Sequence, residues 1–189
     1  MSALAIAACG GGPGTLISFL APIARRIDAP ILIVQQMPAA FTPVIAEQLS
    51  MAIGKRCREA IEGDVLSQGS VLLAPGDSRI CVARCPAGRM VHIDRCNPDA
   101  GPVDALFGSA AAAFGARLLG VVLTGSGEDG RAGAARIIAA GGRVIVQDEM
   151  SSPVWDMPGA VAMAGYAEAV KPPRELGHLA VKMMNGDAA

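Results

Sequence analysis

Four short stretches of this 189-residue chain carry side chains able to do chemistry. In Ala8-Cys9-Gly10-Gly11-Gly12-Pro13 a thiol ends an apolar, uncharged run and is followed by three glycines and a proline. Glycine permits backbone conformations closed to other residues and lets another group approach closely, and proline is favoured in the first turn of a helix. The stretch therefore reads as a strand, a tight turn and a helix start. A thiol at that turn sits at the positive end of the helix, which favours the thiolate and is expected to lower its pKa. Cys9 is then a nucleophile or, on the competing reading, a small core residue, since cysteine is among the most buried types. The other stretches are Gln35-Gln36-Met37-Pro38, Thr124-Gly125-Ser126-Gly127-Glu128-Asp129-Gly130 and Asp156-Met157-Pro158.

The elements that must position these groups alternate strand-like with helical runs. Strands are expected at Ala3 to Cys9, Ile31 to Gln35, Leu118 to Thr124, Arg143 to Gln147 and Ala167 to Val170. Helices are expected from Pro13, over Phe41 to Ile53 with Thr42 as N-cap and Pro43 at its first position, and over Asp104 to Phe114 and Ala132 to Ala140. Pro153 to Ala164 reads as a loop and short helix, and Pro173 to Met184 as a closing helix. The middle differs: Ser70 to Ala74, Arg79 to Arg84 and Arg89 to Asp94 are short strands separated by Pro-Gly and Pro-Ala-Gly turns, a pattern for a hairpin or antiparallel edge. Such alternation predicts an α/β fold, doubly wound, with a mostly parallel sheet flanked by helices and an antiparallel hairpin at one edge. In open sheets of this kind function collects where strands end and the chain enters a helix. All four stretches follow strand ends.

Composition narrows the classes. The chain is 52% apolar with 3% aromatics, so aliphatic residues and alanine must fill a single core over residues 1–189. A formal net charge of -1 without a basic stripe argues against nucleic acid as a partner. Five scattered cysteines, Cys9, Cys57, Cys81, Cys85 and Cys96, do not form a secreted disulfide framework, which points to a reducing cytoplasm. No Lys or Arg precedes the first apolar run, and Gly10 to Gly14 interrupt it far short of the ~20 residues that span a bilayer. Neither a leader nor membrane insertion is expected. Cys81 and Cys85 on an extended strand stand about 13 Å apart, too far to share one ion, so no metal is expected. No cofactor is implied either, because Gly10 to Gly14 match neither the dinucleotide fingerprint nor the Walker pattern.

The same motifs resemble the catalytic domain of the CheB-type chemotaxis receptor protein-glutamate methylesterases along nearly the whole chain. The family's A-S-x-G-G-P is matched at Ala8 to Pro13, Q-H-M-P-x-x-F-T at Gln35 to Thr42, and A-P-G-D at Ala74 to Asp77. V-D-x-L-F follows at Val103 to Phe107, L-T-G-x-G-x-D-G at Leu123 to Gly130, and G-M-P at Asp156 to Pro158. The resemblance implies hydrolysis of glutamate methyl esters, and deamidation of glutamines, on the cytoplasmic helices of methyl-accepting receptors. It implies a serine nucleophile at Cys9, a histidine base at Gln36 and an aspartate at Asp129, with Gly10, Gly11, Met37, Ser126 and Met157 around the oxyanion and substrate cleft. A receiver domain, which usually precedes the family's catalytic domain, is not expected in this chain. Arg79, Pro102 and Asp156 also depart from the family's residues at their positions.

Only the aspartate of that triad is retained. In triad logic the nucleophile gives its proton to a histidine that the aspartate orients. Cysteine needs less help than serine, and the Gln36 amide can hydrogen-bond both Cys9 and Asp129, but an amide cannot carry a proton. Two readings follow: a methylesterase and deamidase working through Cys9, or a catalytically impaired relative that binds receptor helices or another signalling protein. Each residue also has a structural alternative. Asp129 can cap the helix that begins near Arg131, Met37 and Met157 can fill core gaps, and His92 and His178 lie outside the cluster.

Overall fold

The uncharged run Ala3–Cys9 forms a strand, β1, buried along its whole length. Ala3, Ala5, Ala7 and Cys9 face one side of the sheet, and Leu4, Ile6 and Ala8 the other, as the two-residue period of a strand requires. The structure, a computed structural model, describes residues 1–11, 13–94 and 101–186. Gly12, Cys96 and the last three residues of the tail lie outside them.

After β1 come α1 (Pro13–Leu20), β2 (Ile31–Val34), α2 (Thr42–Ile53), β3 (Cys57–Glu59), β4 (Val71–Leu73), β5 (Arg79–Cys85) and β6 (Gly88–Asp94). The second half contains α3 (Pro102–Phe114), β7 (Leu118–Gly125), α4 (Arg131–Ala139), β8 (Arg143–Gln147), α5 (Asp156–Met163), β9 (Ala169–Lys171) and α6 (Pro173–Asn185). Seven strands form one sheet in the order β3-β4-β2-β1-β7-β8-β9, every neighbour parallel. Helices α1, α2 and α6 cover the face of Leu4 and Ile6, and α3, α4 and α5 cover the alanine face. The fold is thus α/β and doubly wound, as the alternation of apolar runs predicts. Its winding reverses between β1 and β7.

Two expectations about the middle of the chain change. The stretch Ser70 to Ala74, expected among the antiparallel strands, is β4 and pairs parallel with β2 and β3. Among the described strands, and apart from one antiparallel bridge from Val65 to Met90, only β5 and β6 pair antiparallel. They form a two-stranded sheet of their own that packs on α3: the Val82 N–H donates to Ser109 Oγ, and the Arg89 guanidinium lies over the Phe114 ring. Strand β3 was not legible, because three residues are too few to display a period. Thr42 is not an N-cap either. Phe41 takes that position without a side-chain bond, and Thr42 Oγ1 instead accepts from the Gly76 N–H at 3.0 Å. A bond to a second loop replaces the local cap.

The alanines of β1 are what let α3 sit close over the sheet. Ala5 is fully buried in the cluster with Leu106, Phe107 and Ala110 of α3. Ala5→Leu is expected to destabilise the fold by about 1–3 kcal/mol through overpacking, measured by urea unfolding. An unchanged midpoint would mean that this face has spare room.

Candidate functional site

The reversal of winding places the carboxyl ends of β1 and β7 side by side, the position where open α/β sheets hold their ligands. The two strands run in register from Ala3 to Ala7 and then slip, so that Cys9 stands opposite Gly125. An irregularity of this kind re-aims side chains at strand ends. Three glycines make the approach possible. A Cβ on Gly10 would press on the Gly125 backbone at 3.3 Å, and one on Gly125 would reach Met157 Cε at 2.7 Å and Cys9 Cβ at 3.3 Å. Gly11, at φ +71°, lies against Pro153 and Thr124.

The end of β7 is tied down by polar groups buried beneath the surface. The Thr124 N–H donates to Gln147 Oε1 at 2.8 Å and its hydroxyl to the Val154 carbonyl at 2.9 Å, while the Val154 N–H returns a bond to Thr124 Oγ1 at 3.0 Å. Gln147 and Thr124 are both fully buried. Sequence reading placed Thr124 at the head of one stretch and Gln147 at a strand end but not the bond between them; the signal was a polar residue closing each of two neighbouring strands. On the other side of β1, Gly76 packs so tightly on the Met37 carbonyl that no side chain fits there. The loops Gln35 to Thr42 and Ala74 to Asp77 thus hold each other in place.

Of the expected residues, the structure brings Cys9, Gly10 and Gly125 together and sets Asp129 close enough for its charge to act on Cys9. Gln36 is exposed and, with Asp77, Arg79 and Pro102, lines a cavity of about 530 Å³. Ser126 is exposed at the start of the Gly125 to Gly130 loop, and Met37 is half-buried. Beyond Ser126, Gly127, Glu128, Arg131 and Asp156 line a second cavity of about 550 Å³. Met157 is a correction: it is fully buried under Gly125 and forms the floor of the site rather than a cleft wall. His92 pairs with Glu62 on the surface, and His178 belongs to α6 on the opposite face of the sheet. Neither serves Cys9. Among the described residues no group of three or more His, Cys, Asp and Glu is arranged to hold a metal ion, and no helix is long and apolar enough to cross a membrane.

The electrostatics overturn the expected direction at Cys9. The thiol is buried, 9% exposed, and burial pushes its pKa up to about 11. The Gln36 backbone amide pulls it down and the Asp129 charge pushes it further up. Loss of water around the sulfur outweighs the helix start that favoured a thiolate. The Gln36 side chain does not bridge the site as expected. Among the described residues its amide bonds neither Cys9 nor Asp129, and the Asp129 carboxylate is taken by the N–H groups of Val103 and Asp104 at 3.0 and 2.9 Å. Asp129 therefore caps α3, not the helix at Arg131. Burial raises its pKa, against the pull of those amides, and the Asp104 charge adds to the rise. For Cys9 the expected outcome is iodoacetamide labelling slower than free cysteine at pH 7, rising with pH toward a midpoint near 11. A midpoint at or below the ~8.5 of free cysteine would contradict this account.

Comparison with known proteins agrees with the geometry. The family model for CheB methylesterase matches residues 4–179. A protein-glutamate methylesterase/protein-glutamine glutaminase of Rhodopseudomonas palustris is 43% identical over 97% of this chain and 48% of its own length. A second from Caulobacter vibrioides is 44% identical over 94% and 52%. The chain spans about half the length of these curated relatives. The crystal structure of the Thermotoga maritima CheB methylesterase catalytic domain superposes with a TM-score of 0.91 at 29% identity, over 96% of this chain and 98% of that one. With the fold, the strand-end motifs and the family match in agreement, this chain belongs to the CheB methylesterase family.

Proposed function

We propose that this domain hydrolyses glutamate methyl esters, and deamidates glutamines, on the cytoplasmic helices of methyl-accepting receptors, with Cys9 as nucleophile. The observation that carries this reading is the placement of Cys9 at the end of β1, opposite Gly125 at the reversal of the sheet, in a chain whose relatives are named for those two reactions. The Cys9 thiol gives up its proton, the thiolate attacks the side-chain carbonyl carbon, methanol or ammonia leaves carrying that proton, and a thioester remains. Water then cleaves the thioester, returning a glutamate and the thiol. Asp129, acting through water, is the carboxylate available to accept the proton. Gly10 and Gly11 line the oxyanion position, and Ser126 and Met37 flank the substrate. Such a protein works in the cytoplasm, in chemotaxis signalling.

A second reading is favoured by one observation: the thiol pushed up to about 11 has no imidazole beside it, because Gln36 stands in the base position. On this reading the domain binds receptor helices or another signalling protein with little or no turnover. Methanol release from a carboxyl-methylated receptor fragment separates the two. The hydrolase reading expects release above the Cys9→Ala background, and an acyl adduct at Cys9 by mass spectrometry. Release no greater than that background overturns it. The Gln36→His and Cys9→Ser double variant is expected to raise turnover about 100-fold or more, the scale of positioned general-base help. No gain would show that the cleft has diverged as well.

A further inference from the structure

Two carboxylates near the site each cap the helix that the other belongs to or precedes. Asp129, just before α4, accepts from the Val103 and Asp104 N–H groups at the start of α3. Asp104, in the first turn of α3, accepts through Oδ1 from the Gly130 N–H at 2.9 Å and the Gly133 N–H at 2.6 Å at the start of α4. The result is a closed ring of four bonds, each from a backbone donor to an ionisable acceptor. Such charge-assisted bonds are roughly twice as strong as neutral ones, and a carboxylate at a helix start also meets the favourable end of the dipole. The surroundings leave the ring no slack. A Cβ on Gly101 would overlap the Asp129 carboxylate, and one on Gly133 would meet Phe107 Cβ at 2.6 Å and Asp104 Oδ1 at 3.0 Å.

We propose that Asp104 is a positioning residue of the candidate site: by holding the Gly130 and Gly133 amides it fixes where Asp129 and the loop leaving Gly125 lie relative to Cys9. This rests on reading Asp129 as a site residue. Asp104 touches neither Cys9 nor the cavities beside it, so its effect reaches the site only through Asp129 and that loop. Two effects of losing the Asp104 charge oppose each other at Asp129: its repulsion of the Asp129 charge is relieved, and the cap that holds the Gly130 loop is weakened. The second dominates in this proposal and loosens the Asp129 bonds to α3, although the side chain of residue 104 makes no bond to the Val103 amide.

Amide hydrogen exchange tests this coupling without requiring turnover, so a failure of hydrolysis and a failure of this inference are read separately. Asp104→Asn keeps the shape and one acceptor but removes the charge. Exchange is expected to quicken roughly fivefold, the difference between a charged and a neutral bond, at Gly130 and Gly133 and also at Val103. Quickening confined to Gly130 and Gly133 would mean two independent caps and would overturn the proposal. Asp104→Ala, where it folds, is expected to change the alkylation rate of Cys9 severalfold, read on the Cys9 peptide by mass spectrometry. Asp64→Ala supplies the control, since Asp64 likewise accepts from a backbone amide, that of Ile61, and in addition from the Arg58 guanidinium, but beside the far edge strand β3. It is expected to leave both Val103 exchange and Cys9 alkylation at the parent level. Equal effects from Asp64→Ala and Asp104→Ala would reduce Asp104 to a residue of general stability.

Discussion

Everything at the site depends on two backbones meeting where neither has a side chain. Gly10 lies on Gly125 closely enough that a Cβ would crowd it, and Gly125 in turn lies on Met157 and Cys9. A methyl group at Gly125 would have to displace the buried Met157 or Cys9 itself. Close-packed interiors do not absorb such volume without strain. The slip in register between β1 and β7 belongs to the same contact, because it is what sets Cys9 against Gly125 rather than against Thr124. The glycines are thus a condition of the site's geometry as well as of its turns.

Around that contact the fold replaces local bonds with bonds between loops. Thr42 gives up its expected cap to hold Gly76, Thr124 at the end of β7 and Val154 in the loop before α5 bond each other, and Asp129 and Asp104 exchange helix caps. Each exchange costs nothing locally if the donor is satisfied, since what matters for a buried amide is that it has a partner. Each one also ties a loop that carries a candidate residue to an element that does not. The loops at the carboxyl edge are therefore held from several directions, as positioning of a reacting group demands.

This explains which features were legible in the sequence. The buried strands β1, β2, β7 and β8 announced themselves as apolar runs ended by glycine or glutamine, and α1, α2 and α6 by proline at their starts. Six motifs carried the family. What could not be read was partner choice. Nothing near Thr42 or Asp129 in the chain says that the acceptor serves an amide 34 or 26 positions away, and a three-residue edge strand such as β3 shows no period. The direction of the Cys9 shift was missed for a related reason. The helix start beside it is a local property, whereas burial is supplied by Gly125, Met157 and the packing of two sheet faces.

The size of that shift bears on the chemistry proposed for Cys9, which has no imidazole beside it. A thiol at about 11 is ionised at pH 7 to about one part in ten thousand, equivalent to about 5 kcal/mol. Positioned general-base help is worth about 100- to 10,000-fold, so an imidazole at position 36 could offset much or all of the deficit. Without one, the compensation must come from elsewhere. A substrate that closes over the Gln36 amide adds further burial and works against ionisation, while backbone donors aimed at the developing oxyanion work for the reaction without needing a proton. On the proposed mechanism the first attack is limited by thiolate supply, which the Asp129 charge lowers, and the second by activation of water, for which Asp129 is the available carboxylate. Accumulation of a thioester at Cys9 is what distinguishes a slow second step from a slow first one.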